Sequence, residues 1–146
     1  MARVTTYLNF EGTAEEAFAF YADVFGTSVG PIVRMGEMPS GQGPELSDAE
    51  KELVMHATVE ILAGHVLMAT DMLGSMGHSL VVGNNTTINL EPDSREEAER
   101  LYAALSEGSS DCFALQDMPW GLWGTCLDRY NVRWMFNVAN EAGAAG

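Results

Sequence analysis

Residues 5–24 (TTYLNFEGTAEEAFAFYADV) and residues 86–105 (TTINLEPDSREEAERLYAAL) carry one pattern twice, eighty-one positions apart. The Thr-Thr pair, the Glu-Glu-Ala triplet and the Tyr-Ala pair all coincide. Each copy reads as a short strand followed by an amphipathic helix. A chain that repeats such an opening at half its length is built from two copies of one module, because self-similarity at a fixed period marks a repeated structural unit.

The modules can be followed residue by residue. Residues 3–10 are rich in β-branched and aromatic side chains and predict a strand. Thr13-Ala-Glu-Glu16 has the form of a capping box, with the Thr oxygen receiving an early helical N–H and Glu16 reaching back. Ala14, Ala17, Phe18, Tyr21, Val24 and Phe25 recur at helical spacing and form one apolar stripe. Gly26 ends that helix, since it enters the left-handed conformation without a Cβ penalty. Residues 28–38 predict a strand interrupted by Gly and Pro, and residues 39–45 (PSGQGPE) a mobile loop. Residues 55–62 and 65–70 predict two strands joined by a two-residue turn, Ala63-Gly64. Residues 71–79 bridge the modules.

In the second half, residues 81–91 predict a strand and Ser94-Arg-Glu-Glu97 a second capping box. Ala98, Leu101, Tyr102 and Leu105 repeat the stripe, and Gly108 closes the helix. Residues 112–116, 122–127 and 132–138 predict three more strands, with turns at Pro119-Trp120-Gly121 and at residues 128–131. The fold class is therefore α+β, in the order βαβββ–βαβββ. The modules span residues 1–75 and 80–138, within one structural domain, and a fraying tail covers residues 139–146.

Charge narrows the function classes. The chain has 146 residues, long enough to bury a core without staples, and a formal charge of −14 from seven basic and twenty-one acidic groups. Nucleic-acid binding depends on cationic side chains that displace counterions from phosphates, and anionic membrane surfaces make the same demand, so both partners are disfavoured. No apolar run approaches a membrane span, and residues 1–10 are no signal peptide. Cys112 and Cys126 form neither a disulfide framework nor a metal clip, and both read as small buried hydrophobes in strands of a reduced, cytoplasmic protein.

Chemistry-bearing residues are sparse. With a two-residue turn, hairpin partners sum to 127, which sets His56 opposite Asp71 and Val59 opposite Met68. His56 with Asp71, joined by Glu60 or His65, reads either as a general base or half metal site, or as a structural cross-strand pair. In that register both point away from Met68. His65 and His78 read as solvent groups. Trp123 reads equally as a ligand platform or as packing, Trp134 as packing, and most of the nine Met residues as core filling. No glycine-rich nucleotide loop, nucleophile elbow or zinc-protease motif occurs.

Two tandem βαβββ modules resemble the vicinal oxygen chelate superfamily, which includes glyoxalase I, bleomycin-resistance proteins and extradiol dioxygenases. The opening Tyr-Leu-Asn-Phe, Glu-Glu-Ala, Phe20-Tyr21 and Phe25-Gly26 resemble its PhnB-like branch, often labelled 3-demethylubiquinone methyltransferase-like. So do Met55-His56-Ala57, Leu67-Met68 and Asp71, and the closing Trp120–Gly124 and Asp128–Met135 stretches, in which Asn131 stands for the usual turn glycine. The resemblance implies sheets curling together around an open cup, and homodimers. It places the superfamily's metal ligands at Thr6 (or Thr5), Met68, Thr87 and Met135, none of them a strong ligand for a hard or borderline divalent ion. The expected function is binding of a small organic molecule in the cup, lined by Thr6, Val59, Met68, Thr87, Trp123 and Met135, with no metal and no cofactor. The alternative is a glyoxalase-type lyase, isomerase or dioxygenase that holds a divalent metal through His56, Glu60 and Asp71. Whether any reaction is catalysed stays open between the two.

Overall fold

The computed structural model describes residues 1–39 and 45–140. The chain divides into two compact units, Met1–Val81 and Val82–Gly146. The first holds β1 (Thr6–Phe10), α1 (Ala14–Phe25), β2 (Val33–Arg34), the one-turn helix α2 (Asp48–Lys51), β3 (Val54–Glu60) and β4 (Val66–Asp71). The second holds β5 (Ile88–Leu90), α3 (Arg95–Ser106), β6 (Ser110–Met118), β7 (Gly121–Leu127) and β8 (Arg133–Ala139). Each unit is an open four-stranded mixed sheet, ordered β1-β4-β3-β2 and β5-β8-β7-β6, with the first and last long strands parallel neighbours. The α+β class and the twofold βαβββ order are as expected.

In the first unit, α1 packs on β3 and β4. The stripe is buried as its spacing requires, with Ala14, Ala17, Phe18, Tyr21 and Val24 inside against Phe10, Ala57, Val59, Leu67 and Ala69. Gly26 caps the helix at φ 68°. Thr13, however, makes no side-chain cap. The first N–H of α1 is met from across the fold: the Ala14 N–H, and the Gly12 N–H just before the helix, donate to Asp71 Oδ1 at 3.0 Å each. In the second unit Ser94 does cap α3, accepting from the Glu97 N–H at 3.1 Å.

The β3–β4 hairpin departs from the expected register. Its loop holds three residues, Leu62–Gly64, with Ala63 and Gly64 both at positive φ (56° and 77°). The extra loop residue slides the pairing by one, so that Thr58 faces Met68 and Val59 faces Leu67. A one-residue slip reverses which sheet face each side chain takes. The strand expected over residues 28–38 is also shorter. Val29 makes an isolated bridge to Val59, Gly30 and Pro31 interrupt the ladder, and after Val33–Arg34 the chain turns into a 3₁₀ helix at Met35–Glu37. The strand expected over residues 81–91 is confined to Ile88–Leu90. The loop expected at residues 39–45 and the fraying tail fall largely outside the described residues.

The second sheet packs β6, β7 and β8 against α3. Trp134 and Phe136 are buried beside Leu101 and Leu105, and the Trp134 Nε1–H donates to Asp128 Oδ2 at 2.8 Å. The same carboxylate accepts from the Tyr130 and Val132 N–H groups, which closes the β7–β8 turn around Asn131 at φ 66°. The expected tolerance of Asn for the left-handed conformation is therefore used. Strand β6 lies at the sheet edge with most of its side chains exposed. Cys112 on it is exposed rather than buried, while Cys126 on β7 is buried as expected.

Candidate functional site: the open sheet faces

Cross-strand partners share a face, so the pairings sort every strand residue. On the first sheet, Tyr7 pairs with Met68 and Met68 with Thr58, which places all three on the face away from α1. Asn9 and His56 follow by alternation. The Thr5 hydroxyl donates to Met68 Sδ at 3.8 Å, and the Tyr7 hydroxyl and His56 Nδ1 share a hydrogen bond of 3.3 Å. Their rings lie 6.0 Å apart. Met68, Thr58 and His56 are half-buried, Tyr7 exposed.

Three expected residues sit elsewhere. Val59 pairs with Leu67 and is buried in the core against α1. Thr6 pairs with Leu67, on the face opposite Met68, and shares a 3.1 Å hydrogen bond with His65 Nε2. Asp71 takes the face of Ala69 and is 3% exposed, so it does not meet His56, which lies on the other face. Its carboxylate is engaged by three backbone donors: Gly12, Ala14 and, at 2.9 Å to Oδ2, Val54. Asp71 holds a helix start and a strand start together. The His56–Asp71 pairing is corrected by the register, and the acidic partner is a structural hub.

On the second sheet, Met135 pairs with both Asn89 and Thr125, and Trp123 with Asn137. The Asn137 amide donates to Asn89 Oδ1 at 2.7 Å. Phe113 pairs with Thr125, its ring 5.9 Å from Trp123. Arg133 pairs with Leu127 on this face and donates to Asp111 Oδ2 at 2.9 Å. Thr87 lies just before β5 and is half-buried. Met135 and Trp123 thus share a face, flanked by Asn89, Thr125 and Asn137, which sequence reasoning missed.

The missed residues follow from parity. Phe10 and Leu90, the buried last residues of β1 and β5, are eighty positions apart, whereas the first residues of α1 and α3 are eighty-one apart. The second strand-to-helix turn is one residue longer. Aligned on the strands, Tyr7 rather than Thr6 corresponds to Thr87, and Asn9 to Asn89. That one-residue difference was present in the sequence, as Tyr-Leu-Asn-Phe against Thr-Ile-Asn-Leu. Among the described residues no three His, Cys, Asp or Glu side chains gather into a cluster that could hold a metal ion. No described helix is long and apolar enough to cross a membrane.

Comparison with known proteins places this architecture. Residues 2–136 match the family described as 3-demethylubiquinone-9 3-methyltransferase. The chain belongs to that family. Among solved structures of similar proteins, protein PA1353 from Pseudomonas aeruginosa is 31% identical, with a TM-score of 0.80 over 95% of this chain and 98% of that one. A PhnB protein from Bacillus cereus, described by the same methyltransferase name, is 26% identical at a TM-score of 0.74, over 94% of this chain and 100% of that one. A glyoxylase/bleomycin resistance protein/dioxygenase domain from Frankia sp. EAN1pec shares the fold at 14% identity, with a TM-score of 0.63 over 97% of this chain and 94% of that one. The PhnB-like membership and the glyoxalase-like fold of this family member are as the sequence resemblance implied.

Proposed function

We propose that this family member binds a small organic molecule against its open sheet faces. One observation carries the reading. Each sheet presents, on the face away from its helix, a half-buried Met at corresponding hairpin positions, Met68 opposite Thr58 and Met135 opposite Thr125. Around each thioether stand hydrogen-bonding groups: Tyr7, Asn9 and His56 on the first sheet, Asn89 and Asn137 on the second. A polarizable, flexible thioether among a few convergent polar groups suits a ligand of mixed polarity. Trp123 beside Phe113 adds apolar aromatic surface.

Methyl transfer, which the family description names, is not part of this reading. The first amide of α1, at Ala14, which could face an anionic cofactor group, already donates to the Asp71 carboxylate, as does the Gly12 amide before it. The homodimer implied by the resemblance belongs to the proposal, and the exposed edge strand β6 supports it; light scattering during size exclusion reads it.

Thermal-shift screening of small metabolites tests the binding. A ligand at ~100 times its dissociation constant raises stability by about 2.7 kcal/mol. The shift should be lost in Met135→Ala and in Trp123→Ala. A set of hits whose shifts survive both substitutions would sink the assignment to these faces.

A further inference from the structure

We propose that Cys112 and Cys126 form a peroxide-oxidisable dithiol that closes into a disulfide across the β6–β7 pair. Between the pairs Ser110–Leu127 and Phe113–Thr125 the ladder carries a bulge: Asp111 and Cys112 stand on β6 where only Cys126 stands on β7. Asp111 adopts φ 48°, the left-handed conformation that lets the first residue of such a bulge step aside. Cys112 then resumes the strand. It alternates with Phe113, as Cys126 alternates with Thr125, so both thiols take the α3-facing side of the sheet. The Tyr102 hydroxyl, which reaches the Phe113 and Thr125 carbonyls at 3.2 and 3.1 Å, sits over the same spot. The two cysteines are the only two in the chain.

Their exposures divide the roles. Cys112 is exposed, and its Sγ lies 2.8 Å from Ser109 Oγ and donates to the Ser110 carbonyl at 3.3 Å. Cys126 is wholly buried. Burial pushes its thiol up to about 12, with Cys112 and then Asp128 adding to the rise. Oxidant therefore meets Cys112 first. The Cys112 thiolate attacks hydrogen peroxide, takes one oxygen as sulfenic acid and releases hydroxide. The Cys126 sulfur then attacks the sulfenic sulfur, forming the S–S bond and expelling hydroxide. The proton lost from each thiol converts each hydroxide to water, so that two thiols give up two electrons and one peroxide becomes two waters. The edge strand, with Phe113 beside Trp123, is then tied to β7.

The test uses the whole reduced protein and hydrogen peroxide in small molar excess. The expected product is a monomer two hydrogens lighter, with both thiols blocked to alkylation after denaturation and a crosslinked peptide pair that contains Cys112 and Cys126. Dithiothreitol should reverse it. In Cys126→Ala, Cys112 sulfenic acid should persist long enough to be trapped by dimedone. The proposal is overturned if the wild-type protein carries sulfinic or sulfonic acid at Cys112 while Cys126 remains alkylatable. It is equally overturned if the only disulfide formed links two chains through Cys112. Both of these outcomes are read on wild-type protein and do not require the variant to fold.

Discussion

At the scale of single residues, one carboxylate shows how a polar group in the interior is made tolerable. Asp71 is 3% exposed yet accepts three backbone N–H bonds, two from the start of α1 and one from the start of β3. Removing it strands three backbone donors, two of them buried and the Gly12 N–H part-buried, and each fully buried one costs ~1–3 kcal/mol. Asp71→Ala should therefore destabilise the protein by roughly 3–5 kcal/mol in urea unfolding. Asp71→Asn, which keeps one acceptor oxygen, should lose less. A small effect of the Ala variant would mean that water reaches the freed N–H groups. Two further groups make the protein sensitive to alkali. The Tyr102 hydroxyl is raised from 10.0 to about 12 by burial first, and then by the nearby cysteines. The Cys126 thiol is raised from 9.0 to about 12. Both groups are held protonated in the fold, and the unfolded chain releases their protons sooner. Their contribution is complete below about pH 9 and declines as pH rises through 9 and 10 toward 12. Melting temperature measured between pH 8 and pH 12 should show this fall, and it should shrink in Cys126→Ala relative to that variant's own neutral value.

At the scale of elements, loop length decides which residues line which face. Leu62–Gly64 holds one residue more than a two-residue turn, and the strand-to-helix connection before α3 holds one more than that before α1. Each single residue inverts the parity of a strand. The β6–β7 hairpin is constrained differently, by Gly121 at φ 147° and paired with Met118 and Ala139. A Cβ there would run into the Val138 carbonyl, which is backbone and cannot give way. Gly121→Ala should cost more than about 2 kcal/mol in strain and displacement. Gly74→Ala, where a Cβ meets nothing within 4 Å, should stay within about 0.5 kcal/mol. Equal stability of the two variants would show that the hairpin relaxes around the added methyl group.

At the scale of the whole molecule, a net charge of −14 on 146 residues is a field that opposes compaction. The described ion pairs are surface pairs, and each relieves it only slightly. The bidentate Arg34–Glu15 contact, at 2.8 and 2.9 Å, holds the Glu15 carboxyl below its usual range through the guanidinium hydrogen bonds, yet both side chains are substantially exposed. Added salt should therefore stabilise the protein by screening repulsion more than it weakens these pairs. Melting temperature should rise from low ionic strength to ~0.15 M, where the Debye length is about 8 Å. A fall would show that the surface ion pairs matter more than the net charge.

The repeated Thr-Thr, Glu-Glu-Ala and Tyr-Ala pattern by itself determined the number of modules, their βαβββ order and both helix stripes. Such features are local or periodic, and each recurs within one element or at one spacing. The capping of α1 was not local. Thr13 has the right residue type but makes no side-chain cap, and the first helical N–H, at Ala14, is met instead by Asp71, fifty-seven residues away. The lining of the open faces depended on parity, which a single loop residue reverses without altering the apolar pattern that reveals a strand. For that reason Tyr7 and Thr58 replaced Thr6 and Val59 beside Met68 only in the folded chain. Periodicity is written along the sequence, whereas register is decided between strands, where the fold joins residues that the sequence keeps apart.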